Sequence, residues 1–276
     1  MRIPFKRYGG KGVISQWIIP YLPPHRIYVE PFCGSAAVLF KKHPSPVEVI
    51  NDLDARLINA FRQLRSKPEI LAALLWATPI SPVDLQGPKN EKISSDDPME
   101  DARLFISQSM QFFSSPHESR TWGIKDESLS NQVANWWTRI KPAAERLRRV
   151  QILQKDAVEV IERFDKFDDV LFYVDPPYAG HEDEYSIKVD YDRLAKVLKA
   201  SKNKVIVSDF EARQPIWEGE GWYSLSKEFT RVAGSRQKGK KKPKNREFLF
   251  LNFPPPYQRP RRKGFGLCSK MLFSPE

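Results

Sequence analysis

The sequence predicts an α/β fold: a mostly parallel sheet with helices on both faces, an antiparallel hairpin near its carboxyl-terminal end, and a small helical insertion. Three observations predict it. Short runs of β-branched and aromatic residues recur without polar alternation, as strands buried on both faces require. Stretches of helical period separate these runs. The last two extended runs are joined instead by a long charged stretch, which marks a hairpin.

In chain order, Ile27–Glu30 is the first expected strand, followed by a helix through Ala36 to Phe40. Val47–Ile50 is the second, followed by a helix from Asp54 to Leu64 whose apolar residues Leu57, Ile58, Phe61 and Leu64 share a face. Val150–Leu153 and Asp169–Val174 are the third and fourth strands, and Val205–Val207 the fifth, after a helix through Leu194, Val197 and Leu198. Trp222–Thr230 and Glu247–Asn252 form the hairpin. Residues 66–149 exceed any ordinary connection and are expected to be an inserted subdomain, with a loop over Thr78–Pro98 and helices over Met99–Phe113 and Asn131–Arg149. Residues 1–65 and 150–253 then form the main domain. Residues 254–276, beginning Pro254-Pro255-Pro256, are expected to be an extended basic tail.

Composition bounds the function. The chain has 276 residues, 41% of them apolar, which is enough for a core and excludes a disordered protein. Two cysteines, Cys33 and Cys268, exclude a disulfide scaffold and a four-cysteine zinc site. No apolar run approaches the roughly 20 residues of a membrane helix. The start lacks the apolar core of a signal peptide, so a soluble, cytoplasmic protein without a membrane partner is expected. The formal net charge is +11, and its excess is local. Seven Lys/Arg and no acid lie between Arg236 and Arg246, and four more between Arg259 and Lys263. A neutral body with one basic loop fits either a polyanion-binding element or a solvated turn.

Ligands of open α/β sheets collect beyond the carboxyl ends of the strands. Here those ends carry Glu30-Pro31-Phe32-Cys33-Gly34-Ser35, Asn51-Asp52, Lys155-Asp156 and Asp175-Pro176-Pro177-Tyr178. One glycine, Gly34, stands where a dinucleotide fingerprint would have three, so a ligand without a pyrophosphate is favoured. Asp52, at the end of the next strand, suits a ribose diol, with a helix cap as its other reading. The two prolines after Asp175 stiffen the turn and remove two N–H donors. That leaves carbonyls and a carboxylate beside an aromatic plane, as an exocyclic amine on a flat base requires.

With these residues in order, the chain resembles the Dam-like (alpha-group) DNA adenine-N6 methyltransferases. The resemblance runs from Arg7-Tyr8-Gly9-Gly10-Lys11 through Glu30-Pro31-Phe32-Cys33-Gly34, Asn51-Asp52-Leu53-Asp54 and Asp175-Pro176-Pro177-Tyr178 to Asn245-Arg246-Glu247-Phe248-Leu249. It implies a Rossmann-like methyltransferase sheet, S-adenosylmethionine as cofactor and double-stranded DNA as partner. It implies that Asp175, Pro176, Pro177 and Tyr178 are catalytic, with Tyr178 stacking on an extruded base. The cofactor residues it implies are Arg7, Tyr8, Lys11, Glu30, Pro31, Phe32, Gly34, Ser35, Asp52, Asp156 and Asp175. The insertion becomes a target-recognition subdomain contributing Arg120 and Trp122. Arg236, Lys238, Lys240, Lys241, Lys242, Lys244 and Arg246 become DNA contacts. No metal is required. Two residues depart from the family pattern: Ala36 replaces the second glycine of Phe-x-Gly-x-Gly, and Arg7 stands where an aromatic is common. The same Asp-Pro-Pro-Tyr serves RNA base amino-methyltransferases, and an inactive nucleic-acid-binding module is the alternative of a different class. The resemblance allows a companion restriction endonuclease and leaves recognition sequence and oligomeric state open.

Overall fold

Side-chain parity along continuous apolar strands decides how the sheet is covered. The computed structural model describes residues 1–5, 10–79, 93–111, 135–177, 189–209, 214–230 and 244–256. Its seven strands are β1 (Ile27–Glu30), β2 (Val47–Asn51), β3 (Val150–Leu153), β4 (Val170–Val174), β5 (Lys204–Asp209), β6 (Tyr223–Thr230) and β7 (Lys244–Leu251). They form one sheet in the order β3-β2-β1-β4-β5-β7-β6. The first five are parallel, and β7 runs antiparallel to both β5 and β6. The α/β fold expected from the sequence is therefore borne out.

Each strand sends alternate residues to opposite faces. Tyr28, Leu171, Tyr173, Ile206, Leu249 and Leu251 enter one core; Ile27, Val29, Phe172, Val174, Val205, Val207, Phe248 and Phe250 enter the other. On the first face lie α1 (Ser15–Ile18), α2 (Ala37–Lys41), α3 (Ala55–Ser66), α4 (Pro68–Ala77), α5 (Pro98–Gln111) and α6 (Trp137–Leu147). On the second lie α7 (Ala157–Phe164), α8 (Tyr191–Ala200) and α9 (Gln214–Trp217). Asp54, Asp156 and Asp190 cap α3, α7 and α8 by accepting backbone amides of the first turn.

Residues 66–149 supply α4, α5 and α6, and these helices share the core of the sheet. Leu71, Leu75, Ile106, Trp136, Ile140 and Leu147 are fully buried with Leu57, Phe61 and Ile50. Each such side chain is worth about 1.5–3 kcal/mol when taken out of water. A buried ion cluster ties α6 to the sheet. Glu48 of β2 accepts from Lys42 at 2.6 Å and from Arg146 Nη2 at 2.7 Å, and Arg146 also donates to the Leu39 carbonyl at 3.1 Å. Residues 80–92 and 112–134, which include most of the expected loop and the residues Arg120 and Trp122, lie outside the described residues. Several bounds differ from expectation; the helix expected over Asn131–Arg149, for example, is Trp137–Leu147 among the described residues. β7 begins at Lys244 instead of Glu247, because Lys244, Asn245 and Arg246 pair in register with Thr230, Phe229 and Glu228. Pro68–Ala77, unassigned from the sequence, is a helix. Among the described residues, no helix is long and apolar enough to cross a membrane.

Candidate active site

The sheet order reverses between β1 and β4, and such a switch point opens a crevice at the carboxyl ends of the strands. A solvent-open cleft of ≈ 790 Å³ lies there, with Lys11, Glu30, Phe32, Gly34, Asp52 and Asp175 among its walls. Asn51 joins the turns after β1, β2 and β3. Its side-chain amide donates to the carbonyls of Pro31 and Lys155, and its oxygen accepts from the Lys155 amide, all at 2.9 Å. The Gly34 amide donates to Asp52 Oδ2 at 3.0 Å, and the Asp54 amide to Asp52 Oδ1 at 3.1 Å. Asp52 thus ties the two turns together, and the cap of α3 falls to Asp54. Gly34 has φ +47°, where glycine is unstrained, whereas Ala36, the residue replacing a family glycine, has φ +51°. A left-handed alanine costs about 1–2 kcal/mol, held here by complete burial of its methyl group.

The other wall is ionic. Lys11 Nζ lies 3.0 Å from Asp175 Oδ1 and 2.7 Å from Glu247 Oε1. Ser208 of β5 donates to Glu247 at 2.6 Å. Burial raises Asp175 to about 7 despite Lys11, with Glu247 and Asp209 adding to the rise. Burial also raises Glu30 to about 7, although Tyr28 at 2.7 Å and the Leu39 amide at 2.8 Å both donate to its Oε1. Both acids therefore titrate near neutrality. Pro176 and Pro177 follow along the cleft, and the Tyr191 hydroxyl donates to the Pro177 carbonyl.

Of the expected site residues, Lys11, Glu30, Pro31, Phe32, Gly34, Ser35, Asp52, Asp175, Pro176 and Pro177 line this one cleft. Asp156 caps α7 and sits 3.5 Å from Arg193, while its neighbours Lys155 and Ala157 line the cleft. Arg246 is exposed on β7, 3.3 Å from Glu228. Arg7, Tyr8, Tyr178, Arg236, Lys238, Lys240, Lys241 and Lys242 lie outside the described residues, as does the side chain of Lys244. Asn51 and Glu247 stand inside motifs read from the sequence but were given no role there, and Ser208 was not singled out. Glu247 carried a signal nonetheless: it is an acid directly before the apolar run Phe248–Leu251.

The turns that build the cleft also carry the comparison with known proteins. Residues 8–81 match the family model of D12 class N6 adenine-specific DNA methyltransferases. The matched segment holds Lys11, Glu30 to Ser35 and Asp52, and bears out the resemblance to DNA adenine-N6 methyltransferases. Asp175 and Glu247 lie beyond the D12 match. A Type II methyltransferase of Lactococcus lactis subsp. cremoris, M1.LlaDCHI, is 40% identical over 75 residues. That alignment spans 26% of either protein, so the chain covers about a quarter of the relative's length. Among solved structures, precorrin 8w decarboxylase of Methanobacterium thermoautotrophicum is similar at 11% identity and TM-score 0.41, over 90% of this chain and 96% of that one. A protein of Legionella pneumophila is similar at 8% identity and TM-score 0.31, over 88% and 84%. Both likenesses are too loose to bear on activity.

Proposed function

We propose that the protein transfers a methyl group from S-adenosylmethionine to the exocyclic N6 amine of an adenine flipped out of duplex DNA. The observation that carries this reading is the meeting of Asp175-Pro176-Pro177 with the D12-matched turns around one cleft.

The residues present fit the cofactor. A carboxylate has about four lone-pair sites, so Asp52 can accept from a ribose diol as well as from two amides. Glu30 and the loop Pro31–Ser35 would flank the amino-acid part, and Leu53, Lys155 and Ala157 the base. When bound, S-adenosylmethionine supplies a sulfonium methyl group that is already electrophilic. The protein's part is then positioning and charge. Asp175 and the carbonyl of Pro176 accept the two hydrogens of the amine, which draws the nitrogen toward tetrahedral geometry and frees its lone pair. Asp175, titrating near neutrality, can take the proton that the methylated amine must lose. Flipping costs a few kcal/mol, offset by stacking on Tyr178 and by phosphate contacts.

The strand ends that flank residues 231–243 lie at the same rim. Asp209 at the end of β5 pairs with Phe248, so antiparallel β7 starts at the carboxyl ends of the parallel strands. The chain leaves the sheet at Thr230 and returns at Lys244, a few residues from Glu247. A companion restriction endonuclease accords with the Type II designation of the lactococcal relative.

The test is to incubate the protein with duplex DNA and methyl-labelled S-adenosylmethionine, digest to nucleosides and identify the labelled base. Label in N6-methyladenine is the expected result. Label in another base, or only when structured RNA is the acceptor, overturns the assignment.

A further inference from the structure

Lys11 stands between two carboxylates of different standing. Asp175 lines the cleft and its side chain is 19% exposed; Glu247 does not line the cleft and is 5% exposed. The shorter contact goes to the hidden acid, 2.7 Å against 3.0 Å. Glu247 is itself anchored, since Ser208 donates to the same Oε1 that faces Lys11. A lone ammonium beside Asp175 would settle on both of its oxygens and compete with any amine that needs them. An anchored second acid prevents that.

We propose that Glu247 is a positioning residue acting through Lys11: it draws the ammonium to the far side, so that Lys11 fixes Asp175 by one oxygen and leaves the other for the target amine. The inference rests on the methyl-transfer reading and deepens it by assigning the device that keeps the acceptor usable. Among the described residues, five groups act on Asp175: Lys11 from the amino-terminal segment, Glu30 from β1, Tyr173 from β4, Asp209 from β5 and Glu247 from β7. Of these five, Lys11 alone favours the carboxylate form, and Glu247 opposes it both by its charge and by its hold on Lys11.

The test follows the Asp175 carboxyl by 13C NMR in aspartate-labelled, cofactor-free full-length protein, with the resonance assigned by its loss in Asp175→Asn. In Glu247→Gln the titration midpoint falls by about one pH unit, because the ammonium moves onto Asp175 and a like charge is gone. In Lys11→Met it rises. Glu247→Asp keeps the charge but shortens the reach, and lowers the midpoint by less; it also serves if Glu247→Gln does not fold. In both Glu247 variants the single-turnover methyl-transfer rate falls while S-adenosylmethionine affinity holds. An unmoved or raised midpoint in the Glu247 variants overturns the proposal. The titration needs no cofactor or DNA. A shifted midpoint without methyl transfer therefore defeats the methyl-transfer reading alone, and methyl transfer with an unmoved midpoint defeats this inference alone.

Discussion

The backbone amide of Gly34 donates to the carboxylate of Asp52 at 3.0 Å, closing the turn after β1 onto the turn after β2. Two residues on, Asp54 accepts the amides of Arg56 and Leu57 and caps α3. Two acids in one short turn thus hold different structures, and their substitutions separate.

Asp52→Ala is expected to weaken S-adenosylmethionine binding by about 1–3 kcal/mol, the cost of losing charged hydrogen bonds. Asp54→Ala is expected to lower stability by about 0.5–2 kcal/mol through the lost cap and to leave cofactor affinity intact. Calorimetry and denaturant unfolding of both variants check this. Unchanged cofactor affinity in Asp52→Ala would confine Asp52 to the turn.

Arg146→Met is expected to cost roughly 3 kcal/mol or more, because it leaves Glu48 buried, 2% exposed, with Lys42 as its remaining ionic partner. Burial pushes the Glu48 carboxyl up, but hydrogen bonds from Arg146 and Lys42 outweigh it and hold the carboxyl below the ordinary 4.5. A depressed folded value adds stability that is present above that pH and is lost as pH falls through the lower folded value. Acid unfolding should therefore begin at higher pH in the variant. Coincident acid transitions for variant and parent would remove the cluster from the stability account.

Methyl transfer is expected to show an acid limb. Asp175 accepts amine hydrogens only as a carboxylate, and its value of about 7 places the limb near neutrality. The single-turnover rate should rise with pH through about 7 and level off above. A rate unchanged from pH 7 down to the ordinary carboxylate value of 3.8 would mean that Asp175 is not the acceptor.

Replacing Lys240, Lys241 and Lys242 by Gln should weaken binding to all duplexes alike and flatten the dependence of log affinity on log salt by up to about 3 units. Cofactor affinity should not change. Parallel salt curves for the two proteins would return the segment to solvent.

Much of this was legible because buried parallel strands write themselves as unbroken apolar runs, and because ligand chemistry gathers at their carboxyl ends. The spacing that singled out Gly34 and Asp52 is a hydrogen bond in the structure. Three things were not legible. Amphipathic helices announce a buried face but not its partner, so residues 66–149 read as a unit apart although α4, α5 and α6 join the core of the sheet. α4 is apolar nearly all round, which blurs the period that marks a helix. Glu247 comes from an antiparallel strand that enters the sheet at the rim where the parallel strands end, and a search of strand carboxyl ends passes it by.

The central claim is that Asp175 is the acceptor beside the transferred methyl group. It is tested most directly by Asp175→Asn in single turnover on duplex DNA, with S-adenosylmethionine and DNA binding measured on the same protein. The substitution keeps shape at the end of β4 and removes the carboxylate. The account predicts a rate lower by roughly 10²–10³-fold, the scale of losing one preorganised electrostatic contact, with binding of both partners retained. A folded Asp175→Asn protein that methylates adenine within a few-fold of the parent rate would contradict it.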